Sequence, residues 1–284
     1  MKAFRVAVVF AVCVFMSESL MAKGKNDSLS MKNTIIEYVS EGSDIAISFP
    51  QLSVPASSTI VMQNLASRIN GDACGVIADI AVYNKSNSLA VETSLKIDSP
   101  SELEMFVLSE ANKSASEGND LSEPVYQLYS EWNAFANSHI VTIFQKVYSF
   151  YGGAHGVTTC KLNNYSAVTG ERFSFADIIE DKEGFMKAIV KHFCKDRKLK
   201  TTAPRIKTGL DYQLSDLPMP SEIGICKKGI VAIYQQAEIA ASYLGVIAVV
   251  IPFKDMKDIL DKKFFDVKSA KGSIDSYNEK TKVK

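Results

Sequence analysis

The chain has 284 residues and a mass of 31.2 kDa, enough for one large domain or two modest ones. Hydrophobic residues make up 46% and charged residues 23%, a globular balance that excludes a disordered or fibrous protein. Lysine and arginine total 32 and aspartate and glutamate 32, so no overall charge draws the chain to nucleic acid or an acidic membrane surface.

At the start, Lys2 and Arg5 precede an uncharged apolar run from Val6 to Met16, followed by Ser17, Glu18, Ser19 and the small residue Ala22. This is the layout of a secretory signal peptide, with cleavage after Ser19 or Ala22. The run is far short of the roughly 20 apolar residues that span a bilayer, so the mature chain is expected to lack a transmembrane helix. Residues 1–22 are read as signal peptide and 23–33 as a polar flexible tether, and the protein as exported, periplasmic or cell-surface.

Folding is expected from Thr34. Two strands, Ile35 to Ser40 and Asp44 to Phe49, flank Glu41-Gly42-Ser43, with Pro50 closing the second. A helix capped by Ser57 or Ser58 carries Ile60, Val61, Leu65 and Ile69, with Gly71 as its stop. Ser99-Pro100-Ser101-Glu102 forms a capping box opening a second helix to about Ser114. Long strands follow from Val125 to Asn133 and from His139 to Phe150, turning at Asn137-Ser138. Extended structure resumes from Val157 to Tyr165. Lys182 to Lys200 reads as an amphipathic helix with Phe185, Ile189, Phe193 and Cys194 on its apolar stripe. Ile223 to Cys226 and Ile230 to Gln235 form a hairpin around Lys227-Lys228-Gly229, Val246 to Ile251 is a buried strand, and Asp255 to Phe264 a short helix. Residues 266–284 are a lysine-rich tail. Grouped antiparallel strands flanked by helices, without strict βαβ alternation, predict an α+β fold.

Cys74, Cys160, Cys194 and Cys226 remain after the signal; four cysteines allow three full pairings that sequence cannot rank. The histidines at 139, 155 and 192 are too scattered for a zinc motif, and no C-x-x-C exists, so neither metal nor cofactor is expected. The nucleophile elbow, the P-loop and the dinucleotide fingerprint are all absent. The one local constellation is Gly152-Gly153-Ala154-His155-Gly156, in which Gly152, Gly153 and Gly156 shape a turn and His155 is a candidate ligand contact. Trp132 reads as a sheet residue, and Lys195, Arg197, Lys198 and Lys200 as a solvated helix end. Between the last two strands, residues 236–245 form a loop too long for a tight hairpin, and Tyr243 is its candidate binding residue.

Tyr151-Gly-Gly-Ala-His-Gly156, Asn164-Tyr165, Thr169-Gly170, Phe175-Ala-Asp-Ile-Ile179, Lys228-Gly229-Ile230, Tyr234, Glu238-Ile239-Ala240, Gly245 and Ile251-Pro252 together carry a family resemblance. Over about residues 136 to 262 the chain resembles the extracytoplasmic domain of unknown function found at the C-terminal end of the lysozyme-sensing anti-sigma factor RsiV and in the peptidoglycan deacetylase PdaC. Phe49-Pro50 and the helix through Ile69-Asn70 resemble the PdaC-type module that precedes it. The resemblance implies a PdaC-type N-terminal module at 34–135 and an RsiV-like C-terminal domain at 136–265. It implies an α+β envelope domain and, by analogy with RsiV, a lysozyme-binding surface. The deacetylase ligands are missing, since no Asp-Asp pair and no His-x-x-x-His is present, and deacetylation does not carry over. The expectation is a non-catalytic exported binding module recognising a lysozyme-like protein or a peptidoglycan fragment. The alternatives are an envelope hydrolase with a site near His155 and a structural accessory protein of the envelope.

Overall fold

A computed structural model describes residues 13–14, 30–40, 42–86, 96–117, 126–152 and 155–262. The signal cleavage region, Gly153, the lysine-rich tail and residues 118–125 lie outside the described residues. The fold is mixed α+β with two sheets, one of seven strands in the order β1 to β7 and one of three in the order β10-β9-β8. The strands are β1 (Cys13–Val14), β2 (Ser30–Ser40), β3 (Ser43–Ser53), β4 (Tyr126–Ala136), β5 (Ile140–Phe150), β6 (Val157–Ser166), β7 (Arg172–Phe173), β8 (Glu222–Cys226), β9 (Gly229–Tyr234) and β10 (Ile247–Pro252). The helices are α1 (Ile60–Ser86), α2 (Pro100–Glu117), α3 (Lys182–Asp196) and the single turn α4 (Arg205–Thr208). Two compact units form, one from Met1–Trp132 with Gln145–Thr159, the other from Asn133–Phe144 with Cys160–Lys284. The chain changes unit inside β4, β5 and β6.

In the first unit β2 and β3 pair antiparallel from Ser30↔Ser53 to Ser40↔Ser43, so the end of the expected tether, from Ser30, is strand, and Cys13–Val14 within the expected signal peptide pairs with Lys32 and Met31 of it. β3 runs past Pro50 to Ser53. Pro50 does not close the strand because its missing N–H is not needed there: the ladder to β4 spans Ser43 to Ala46, and beyond it Asn70 of α1 serves the backbone of Leu52. Its Oδ1 accepts from the Leu52 N–H at 2.6 Å and its amide donates to the Leu52 carbonyl at 2.9 Å. The β3 to β4 pairing is parallel, since α1 and α2 return the chain between them.

Gly71 does not stop α1, which continues to Ser86. The reason is distant in sequence. A Cβ on Gly71 would stand 3.4 Å from Asp98 Cβ, and one on Gly75 3.3 Å from the Ile97 carbonyl, so these glycines admit the incoming chain of α2. The stripe Leu65, Ile69, Ala73, Ile77, Ala81 stays buried throughout at a spacing of four, and Leu103, Val107 and Ala111 of α2 meet it. α2 opens as expected: the Glu102 N–H donates to Ser99 Oγ at 3.3 Å, and Glu102 reaches back to accept from the Asp98 N–H at 3.0 Å. Burial pushes the Cys74 thiol up to about 12, with Asp98 and Glu102 adding to it.

The second unit is built on β10-β9-β8, whose central strand is buried along its whole length. Phe185, Ile189 and Phe193 of α3 belong to the same core cluster as Val249 and Ile251 of β10. Asp181 caps α3 by accepting from the Gly184 N–H at 2.8 Å. Asn137 Oδ1 accepts from the N–H groups of His139 and Ile140 at 2.9 and 2.7 Å, fixing the expected turn between β4 and β5. After β10 the chain makes only a 3-10 turn, Phe253–Asp255. From Met256 to Asp261 the chain forms turns and the isolated bridge of Leu260 to Ile179 in place of the expected helix, and Lys263 and Phe264 lie outside the described residues. Cys74, Cys160, Cys194 and Cys226 are all buried, and none of them forms a disulfide.

Candidate functional site

β8 is an edge strand of its sheet, and its outward backbone groups are satisfied by side chains of β5 and β6. Thr142 Oγ1 accepts from the Ile225 N–H at 3.1 Å and donates to Asn164 Oδ1 at 2.7 Å, while the Asn164 amide donates to the Ile223 carbonyl at 2.8 Å. Gly224 sits between them; a Cβ there would approach Thr142 Cγ2 to 2.6 Å. Gln235 clamps the Cys160 backbone from both sides, at 3.0 and 2.7 Å. This polar seam turns an exposed edge into a rigid wall.

At the open end of that wall is a cleft of about 380 Å³, bordered by β6, β7, the turn after β7 and the start of β8. Glu222 forms its floor and is buried. One carboxylate oxygen accepts from Lys161 Nζ at 2.6 Å and the other from the Leu162 N–H at 2.8 Å. Burial pushes the Glu222 carboxyl above its ordinary range, against the opposing pull of Lys161 and Arg172. Arg172 and Ser174 stand exposed at the rim, Ser221 lines the far side, and Phe173 gives an aromatic wall. Two cations against one carboxylate leave the lining with a positive excess. Sequence reasoning missed this group because Lys161 and Glu222 are 61 residues apart. The available signal was a single charge in each of two otherwise uncharged strands.

Ser221 Oγ also donates to Glu238 Oε2 at 2.9 Å, and Glu238 accepts from the Gln235 N–H. These bonds anchor the base of the loop at 236–245. Its middle is held as well, since Ala240 bridges to Leu210 and the Asp211 N–H donates to the Ile239 carbonyl at 2.8 Å. The tip is a 3-10 turn, Ser242–Leu244, ended by Gly245 at φ 68°. Tyr243 is 85% exposed there. The single-turn helix α4 lies beside it: a Cβ on Gly209 would be 3.7 Å from Leu244 Cδ1. Ile206 on α4 is 92% exposed, and Tyr212 and Leu244 are exposed as well.

The glycine turn is in the first unit. Gly152 has φ 84°, a conformation that suits glycine, and a Cβ on Gly156 would enter the Tyr148 ring. That ring stacks on Tyr129 at 5.7 Å between centroids. Tyr129 donates to Asp44 at 2.7 Å, and burial with this bond pushes its hydroxyl up to about 12. His155 is exposed and does not border the cleft. Trp132 donates through Nε1 to Asn33 at 2.7 Å. His192, buried on α3, lies 2.7 Å from Asp255, which Lys191 also approaches at 3.3 Å. This trio ties α3 to the turn after β10. Among the described residues no group of three or more His, Cys, Asp or Glu side chains is placed to hold a metal ion, and no helix is long and apolar enough to cross a membrane.

The architecture is that of solved proteins of the DUF3298 family. A DUF3298 family protein from Pseudomonas aeruginosa superposes with a TM-score of 0.57 at 16% identity, covering 85% of this chain and 99% of its own. A member of the same family from Bacteroides fragilis gives a TM-score of 0.56 at 15% identity, covering 84% and 96%. At such identity the likeness is one of fold. No protein-family model matches the chain, and no curated protein matches it.

Proposed function

We propose that the chain is a non-catalytic, exported binding module of a bacterial envelope that takes an acidic cell-wall glycan in the cleft between β7 and β8. The cleft itself carries the reading. Its volume of about 380 Å³ suits one or two sugar rings, Phe173 lines it with apolar surface, and Lys161, Arg172 and Ser174 offer donors to hydroxyl and carboxylate groups. Export is supported by the charged start and short apolar run of the first 16 residues, and an envelope role by the RsiV and PdaC resemblance. Titration of the mature protein with soluble peptidoglycan fragments is the test. Binding is expected to weaken about tenfold or more in Arg172→Gln, and no binding by the wild type refutes the reading.

A protein ligand such as lysozyme is the second reading, favoured by Tyr243, a large amphipathic ring presented on a loop anchored at its base and middle. Lysozyme titrated against wild type and Tyr243→Ala decides it.

A further inference from the structure

The balanced charge of the whole chain conceals a local excess. Between residues 195 and 207 stand Lys195, Arg197, Lys198, Lys200, Arg205 and Lys207, with Asp196 the lone acid. All are exposed. Among the described residues Lys195, Lys198, Lys200, Arg205 and Lys207 form no ion pair, while Arg197 lies over the Phe193 ring at 4.0 Å. A solvated helix end accounts for Lys195 beside the α3 carbonyls. It does not account for Arg205 and Lys207, which flank Ile206 on α4.

The same region carries the apolar exposure. Ile206 is 92% and Tyr243 85% exposed, with Leu244 Cδ1 3.7 Å from where a Cβ on Gly209 would stand and Tyr212 two residues beyond the bridge at Leu210. Gly209 is the C-cap of α4, so the Tyr243 turn abuts the end of the helical turn that carries Ile206. A soluble glycan gives an isoleucine nothing to bury against. A surface with negative charge above a hydrocarbon layer satisfies the cations and the aliphatic side chains together, with tyrosine suited to the boundary between them.

We infer that the face formed by α4, the preceding basic segment and the Tyr243 turn docks on an anionic lipid bilayer. The cations meet the headgroups, and Ile206, Tyr243 and Leu244 enter the interface. The protein then lies on the membrane and does not span it. This inference is independent of the glycan reading, since the cleft residues take no part in it.

Sedimentation of the mature protein with vesicles tests it, using phosphatidylcholine alone and phosphatidylcholine with phosphatidylglycerol at roughly three to one. Partition into the anionic vesicles is expected to be at least about tenfold stronger and to fall as salt rises. The double variant Arg205→Glu with Lys207→Glu is expected to abolish that preference, and Ile206→Ser to weaken binding severalfold with an unchanged thermal melt. Equal partition into both vesicle types overturns the inference, and so does anionic binding that neither variant alters. Binding of heparin without binding of anionic vesicles overturns it in favour of a soluble polyanion. Loss of lysozyme binding in Tyr243→Ala without any vesicle binding overturns it in favour of a protein partner.

Discussion

The seam behind β8 and the face around α4 handle polar and apolar groups in opposite ways. In the seam, Thr142, Asn164, Gln235 and Glu222 direct their hydrogen bonds to backbone that a missing strand would otherwise have paired. On the face, five cations and four large apolar side chains are left to solvent. A buried polar group without a partner costs about 1 to 3 kcal/mol of a total stability of about 5 to 15, so the seam is explained by folding alone. The face gains nothing for the fold. Residues that stability does not require point to a partner, and the cleft, which joins a buried ion pair to an exposed rim, lies between these two cases.

Substitutions separate them by size of effect. Gly229 pairs with Cys226 at the β8–β9 turn, and a Cβ there would collide with the Ile251 carbonyl. Gly229→Val is expected to cost on the order of 3 kcal/mol or more, read as a large fall in the denaturation midpoint. Asn164→Leu strands the Ile223 carbonyl and the Thr142 hydroxyl, a loss of roughly 2 to 3 kcal/mol by the same measurement. A fall no larger than that of a surface substitution would show that the seam is dispensable.

Two carboxylates sharpen the comparison through pH. Glu222 is raised by burial, so its contribution is complete below its unfolded pKa and is lost as pH climbs through the folded value. Asp255 is lowered by its bonds with His192 and Lys191, so its contribution is present above its unfolded pKa and is lost as pH falls through the folded value. Thermal melts between about pH 3 and 7 should therefore show Glu222→Gln gaining on the wild type as pH rises and Asp255→Asn falling behind it. The smallest effects belong to the outer positions. His155→Ala and Ile206→Ser are each expected to stay within about 0.5 kcal/mol of wild type in chemical denaturation.

Where a signal is local, the sequence and the structure agree. Ser99 and Glu102 announce α2 because both halves of the cap lie within four residues, and Asn137 announces its turn because it bonds to its own next residues. Gly71 misleads because glycine serves equally as a stop and as a point of close approach, and Asp98, which decides between them, is in the next helix. The loop at 236–245 is legible through its length and its tyrosine. The cleft is not, since Lys161, Arg172 and Glu222 converge only once β6, β7 and β8 have formed. The basic segment is visible as charge, but its exposed neighbours Tyr243 and Leu244 come from a strand connection over 30 residues away.

The most direct measurement maps amide chemical shifts of the mature protein during titration with soluble peptidoglycan fragments. The expected result is saturable shifts confined to Lys161, Leu162, the segment Arg172 to Ala176, and Ser221 to Ile223, absent in Arg172→Gln. Shifts centred on Gly152, His155 and Gly156, or no saturable shifts at all, would contradict the assignment of the cleft as the ligand site.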